Sequence, residues 1–353
     1  MSRQLFEYHP VIGYRFVPNL KARVPHESGG YLVQANEQGF RSNRAFTPER
    51  TEGKRRALVF GDSFTAGDGV SNGRRYTERL EEKVPSLEVY NYGLSGTGTD
   101  QQYLIWREFA RDVAHDAVVI AVLVENVRRV TSRYRRYADL SGRELVYGKP
   151  YYTLQGDELT LHHMPPPREP IREEDLPPEE RESVDRGGRF HLLRQVVSAV
   201  GVKDVVQRIT RYQPVPEYDS GTTPGWLLMR AILSRWVRSL QRPAMLVPLP
   251  LYQHVEETSD ASGYQERFRE LAERLYADGV RVFVQVGTGS LMGFIDDTLR
   301  DHDFLGVSAN TARHRGLGQL RRVAAALWST GVAVDFAPLG HEVASPEPAA
   351  DER

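Results

Sequence analysis

Apolar and polar positions along this chain fall into a rhythm of short buried strands, each followed by an amphipathic stretch. The first clear member is 57–60 in "RRALVFGDSFTAGDGV" (55–70), an unbroken apolar run that stops at Gly61-Asp62-Ser63. A run of that kind fits a strand covered on both faces, as in a parallel sheet. A helix near 70–83, a strand at 87–91 (LEVYN), a helix over about 99–112 and a strand at 117–124 (AVVIAVLV) continue the alternation. Such alternation predicts right-handed βαβ units, and hence the α/β class.

After Val130 the rhythm breaks. Residues 131–188 mix tyrosines with charges and run into "MPPPREPIREEDLPPEERESVDRGGR", whose proline and charge density predicts a mobile lid or linker without a packed core. A helix is expected at 190–211. The α/β pattern resumes with a helix at 224–240, a strand at 244–248 (AMLVP), a helix at 262–278, a strand at 280–286 (VRVFVQV) and a helix at 317–329. The domain expectation is an irregular segment 1–54 packed on the core, with short strands around 31–34. A first core half at 55–130 follows, then an insertion at 131–223 holding the lid or linker (165–188), a second core half at 224–334 and a tail at 335–353.

Composition narrows the function classes. A net charge of -1 over 353 residues argues against bulk attraction to nucleic acid or an anionic membrane. With no cysteine, thiol catalysis and disulfides are excluded. The first residues lack the apolar core of a signal peptide and no run approaches membrane-spanning length, so a cytoplasmic protein without membrane insertion is expected. Only Lys21, Lys54, Lys83, Lys149 and Lys203 among the 46 basic residues are lysine, a bias to which the sequence attaches no chemistry.

Ser63 falls just past a strand's carboxyl end, where open α/β sheets bind ligands, so it is a nucleophile candidate; serine is equally a helix cap. Four segments, "GDSFTAG" (61–67), "NYGLSGTGTD" (91–100), "VLVENVRRV" (122–130) and "NTARHRGLGQLRRVAAAL" (310–327), together resemble the blocks of the SGNH, or GDSL, hydrolase family. That resemblance implies a three-layer α/β/α sandwich around a mostly parallel five-stranded sheet, flavodoxin-like, carrying an insertion. It also implies an acyl-serine mechanism with Ser63 as nucleophile and His314 as base, Ala324 and Leu327 standing at the family's places in the helix that follows.

Acyl transfer needs donors for the oxyanion, and the N–H groups of Ser63 and Gly96 with the Asn126 amide would supply three. Read singly, Gly93, Gly96 and Gly98 shape a loop, Asn126 closes a turn, and Asp62 braces the Ser63 turn. His302, His341 and the pair His162-His163 compete with His314. The family's aspartate before the histidine is missing, since Thr311 and Ala312 occupy its positions. A dyad aided by Asn310, an acid from Asp301 or Asp303, and a catalytically impaired site all remain open.

The expected activity is cleavage of a carboxylic ester, such as a small acyl group on a sugar or other polar metabolite. The alternatives are acyl transfer through the same serine, or binding without catalysis. Tyr134, Arg135, Arg136, Tyr137, Tyr147, Tyr151 and Tyr152 of the insertion could contact a polar ring. No cofactor or metal is expected: "GLSGTGTD" lacks the phosphate-loop lysine, and His162-His163 beside Asp157 and Glu158 has no metal spacing.

Overall fold

The apolar run before Gly61 forms an interior strand of a parallel sheet. The computed structural model describes residues 5–26, 29–138, 144–185, 213–256, 258–280, 282–285, 291–308, 317–329 and 334. These fall into two compact units, Met1–Asp278 and Gly279–Arg353.

The first unit begins with two antiparallel hairpins, β1 (Phe6–His9) with β2 (Gly13–Phe16) and β3 (Lys21–Val24) with β4 (Tyr31–Gln34). Next come β5 (Arg55–Phe60), α1 (Ser63–Ala66), α2 (Tyr76–Lys83), β6 (Leu87–Asn91), α3 (Thr99–Ile105, followed by a π-helical turn), β7 (Ala117–Leu123) and α4 (Asn126–Arg129). The expected helix near 70–83 starts only at Tyr76. Gly69 and Gly73 hold φ of +88° and +84°, a left-handed backbone that no helix continues through.

The region after α4 folds as β8 (Tyr134–Ala138), β9 (Glu144–Gly148), β10 (Tyr151–Gln155), β11 (Glu158–His162), α5 (Pro178–Arg181) and β12 (Val184–Asp185). Strands β12, β8 and β9 make one small sheet, and β10 with β11 a hairpin. The proline- and charge-rich stretch therefore departs from the expectation of a loop without a core. Leu176 and Val184 are buried with Tyr134 and Val146, and Ile171 packs against them. Ile171 and Val146 also exchange backbone hydrogen bonds of 2.8 and 3.0 Å. Sparse apolar residues spaced between the prolines suffice for this small cluster, which average composition conceals.

The unit closes with α6 (Pro224–Ser239), β13 (Ala244–Leu249), α7 (Tyr252–Val255) and α8 (Ser262–Ala277). The central sheet runs β13-β7-β5-β6, every pair parallel, with Ala57 opposite Ala117 and Val59 opposite Asn91. On α6, Trp236 sets its ring 5.3 Å from Phe60 of β5 and 5.7 Å from Tyr103 of α3. Phe40 and Phe46 of the amino-terminal segment pack on Tyr92 at 5.0 and 4.9 Å. Burying rings of this size supplies the largest apolar contribution per side chain.

In the second unit β14 (Val282–Gln285) pairs in parallel with β15 (Leu305–Ser308), beside α9 (Leu291–Thr298) and α10 (Leu317–Ser329). The sheet of the first unit thus has four strands among the described residues, where five were expected. The strand expected at 280–286 instead pairs with β15, which the sequence pattern did not single out. The expected helix at 190–211 and the tail at 335–353 lie outside the described residues.

His9 gives the amino-terminal hairpin a pH dependence. Its Nδ1 accepts from the N–H of Val11 (3.2 Å) and of Ile12 (3.4 Å), and burial, helped by Arg15, lowers its pKa from 6.5 to about 4. Because the folded value lies below the unfolded one, the unfolded chain takes up this proton first as pH falls, and the fold loses stability between pH 6.5 and about 4. Replacing His9→Gln removes that contribution. Melting temperature plotted against pH should then fall less steeply over this window than in wild type; parallel curves would contradict the assignment.

Candidate active site

The chain passes from β5 into α1 through Gly61 and Asp62, and Asp62 caps the helix. Its Oδ1 accepts from the Phe64 N–H at 3.1 Å. Capping therefore belongs to Asp62, and the Ser63 hydroxyl is not engaged in it. Ser63 itself is half-buried at the start of α1.

Asp62 is fully buried, and its Oδ2 accepts from Arg129 Nη1 at 2.9 Å. Burial pushes the Asp62 carboxyl up from the usual carboxylate range, while Arg129 and the Phe64 N–H pull it back. The same Nη1 donates to the Thr97 carbonyl at 3.3 Å. Arg129 lies on α4, three residues after Asn126, so one guanidinium ties together the serine turn, the Gly96 loop and the asparagine helix. The sequence reading missed this residue. Its signal was the i, i+3 spacing from Asn126, which places both on one side of a helix.

Asn126 opens α4 and is fully buried, and neither Nδ2 nor Oδ1 has a hydrogen-bond partner among the described residues. Leaving a buried amide unsatisfied costs about 1–3 kcal/mol, so such a group calls for a partner that arrives from outside.

The loop between β6 and α3 packs tightly on α1. A Cβ at Gly93 would lie 2.5 Å from the Ala66 nitrogen, so only glycine allows this approach. The Leu94 N–H donates to the Gly61 carbonyl at 3.1 Å, and Asn91 Nδ2 donates to Thr65 O at 2.8 Å. Gly96 holds φ +81°, and a Cβ there would meet the Arg135 guanidinium at 2.1 Å. Neither the Gly96 nor the Ser63 N–H donates to an acceptor among the described residues.

The other end of α1 is gripped from the amino-terminal segment. Arg41, fully buried, donates to the carbonyls of Ala66 (2.9 Å), Gly67 (2.7 Å) and Val70 (2.7 Å), and Arg75 donates to Arg41 O at 2.7 Å. Burial, with Arg75 alongside, lowers the Arg41 pKa to about 10.

The remaining candidates are less concentrated. His162 Nε2 lies 2.7 Å from Thr153 Oγ1 and its ring stacks on Tyr151, within the β10–β11 hairpin, while His163, just past β11, sets its Nδ1 3.1 Å from Lys149 O, just before β10. Asp301, His302 and Asp303 are exposed in the turn before β15. Asn310, Ala312, His314 and His341 lie outside the described residues. In the second unit Gln319 Nε2 donates to Ser308 O. Of the insertion residues, Tyr134 donates to Glu180, Tyr152 is buried against Tyr103, and Arg136 pairs with Glu173. The Arg135 guanidinium lies beside the Gly96 loop.

No family model and no curated sequence matches this chain. Among solved structures, AlinE4, an SGNH-hydrolase family esterase, aligns at 13% identity with a TM-score of 0.32, over 80% of this chain and 97% of that one. A mutant of the esterase AlinE4 aligns over the same shares at 13% identity with a TM-score of 0.31. Among the described residues no helix is long and apolar enough to cross a membrane.

Neighbouring arginines on α4 give a direct test of the Asp62 tie. Arg129→Met leaves a buried carboxylate without its partner, which should lower unfolding free energy by about 3–5 kcal/mol. Arg128 pairs at 2.5 Å with Glu217 in a more exposed setting, and Arg128→Met should cost about 1 kcal/mol or less. Urea denaturation of both variants would measure the contrast, and equal losses would count against the tie.

Proposed function

We propose that this chain is an SGNH-type serine hydrolase that cleaves a carboxylic ester through an acyl-serine intermediate. The observation that carries this reading is the buried Asn126 amide, without a hydrogen-bond partner among the described residues, on the same short helix as Arg129, whose guanidinium holds the aspartate next to Ser63. An amide donor kept dry and unsatisfied suits a charge that develops only during reaction.

In this reading Ser63 Oγ attacks the carbonyl carbon while its proton passes to His314. The role of His314 rests on the sequence resemblance. The carbonyl oxygen becomes an oxyanion, stabilised by the N–H groups of Ser63 and Gly96 and by Asn126 Nδ2. The C–O bond to the leaving group then breaks, and the departing alkoxide takes the proton from His314. Water repeats the sequence on the acyl-serine, returning the carboxylic acid and free Ser63. A small acyl group on a polar metabolite is the substrate class proposed.

The missing acid at Thr311 and Ala312 favours a second reading, a protein that keeps the site for binding and has lost turnover. Purified protein with p-nitrophenyl acetate separates the two. The hydrolase reading expects turnover that Ser63→Ala abolishes, and labelling of Ser63 by a fluorophosphonate. Asn126→Ala should lower kcat by about 10² to 10³ with KM little changed. Turnover that persists in Ser63→Ala would remove this serine from the mechanism; absence of both turnover and labelling would favour binding.

A further inference from the structure

We infer that Tyr14 is a positioning residue that aims and strengthens the Gly96 N–H as an oxyanion donor. This rests on the hydrolase reading above. Tyr14 lies on β2, far from Ser63 along the sequence, and its hydroxyl donates to the Ser95 carbonyl at 2.7 Å. That carbonyl and the Gly96 N–H belong to one planar trans peptide and point in opposite directions. Fixing the oxygen therefore fixes where the N–H points.

The restraint matters because of the residue that follows. Gly96 at φ +81° has no side chain to bias its backbone, so the peptide before it can rotate at little cost unless something holds it. Ser95 is held on its other side as well, since its Oγ donates to Asp68 Oδ1 at 2.6 Å. A hydrogen bond accepted by the carbonyl also polarises the amide and makes its N–H a better donor.

The hairpin that carries Tyr14 is itself fastened to the loop's far end. Gln101 on α3 donates from Nε2 to the Ile12 carbonyl at 2.9 Å, and its Oε1 accepts from the Gly98 N–H at 3.5 Å. The Tyr14 ring meets Phe6 edge-on at 5.4 Å, which orients the phenol. The hairpin thus contacts the peptide chain on both sides of Gly96.

Tyr14→Phe removes only the hydroxyl, leaving the ring packing intact. In the full-length protein, steady-state turnover of p-nitrophenyl acetate should show kcat reduced about tenfold with KM unchanged. The urea midpoint should stay at the wild-type value. An unchanged kcat, or a rise in KM alone, would overturn the inference, as would a kcat loss accompanied by a shifted urea midpoint. Wild type and Ser63→Ala run alongside identify the source of any failure. Without Ser63-dependent turnover in wild type the hydrolase reading falls, and this inference with it. With such turnover present and Tyr14→Phe indistinguishable from wild type, only the role of Tyr14 falls.

Discussion

The ion pair between Asp62 and Arg129 is the contact on which the candidate site depends. Its carboxylate is buried, Asp62 adjoins Ser63 in the chain, and the mostly covered Arg129 guanidinium reaches the Thr97 carbonyl as well. Three segments that are dozens of residues apart in sequence are held by one side chain with several donors in a fixed plane. Removing either charge would strand the other in a medium where an unpaired charge is costly. The pair therefore works as a register device, which admits one relative placement of serine turn, glycine loop and asparagine helix.

Arginine serves the same purpose elsewhere in the first unit. Arg41 collects the carbonyls at the end of α1, and Arg56 lies fully buried with its Nε 2.6 Å from Glu88 Oε2 while its other nitrogens donate to the carbonyls of Thr47 and Glu49. In each case a planar fork satisfies several backbone oxygens that would otherwise be buried without partners. The scarcity of lysine carried no meaning in the sequence alone. The structure gives several of those arginines a structural task that a single ammonium could not perform.

Much of the fold was legible because apolar periodicity reports burial directly. The limits of β5, β6, β7 and β13 fall within two residues of those predicted, and Pro224–Ser239 and Ser262–Ala277 match helices drawn from pattern alone. The small core of Ile171, Leu176 and Val184 was not legible, because its apolar residues are too widely spaced among prolines and charges to register as a period. The pairing of β14 with β15 was missed for a related reason: "LGVS" is short and weakly apolar. Within the site, motifs singled out Ser63, Gly96 and Asn126, but the connections among them were invisible. The Arg129 and Tyr14 hydrogen bonds join residues distant in sequence, and no local pattern encodes such a contact.

A double-mutant cycle on Asp62→Ala and Arg129→Met, read by urea denaturation, tests the central claim most directly. If the pair holds the site together, each single change should destabilise strongly and the double variant little more than either. The coupling should be about 2–3 kcal/mol. Losses that simply add, with coupling below about 0.5 kcal/mol, would show that the two side chains act independently and would contradict the account.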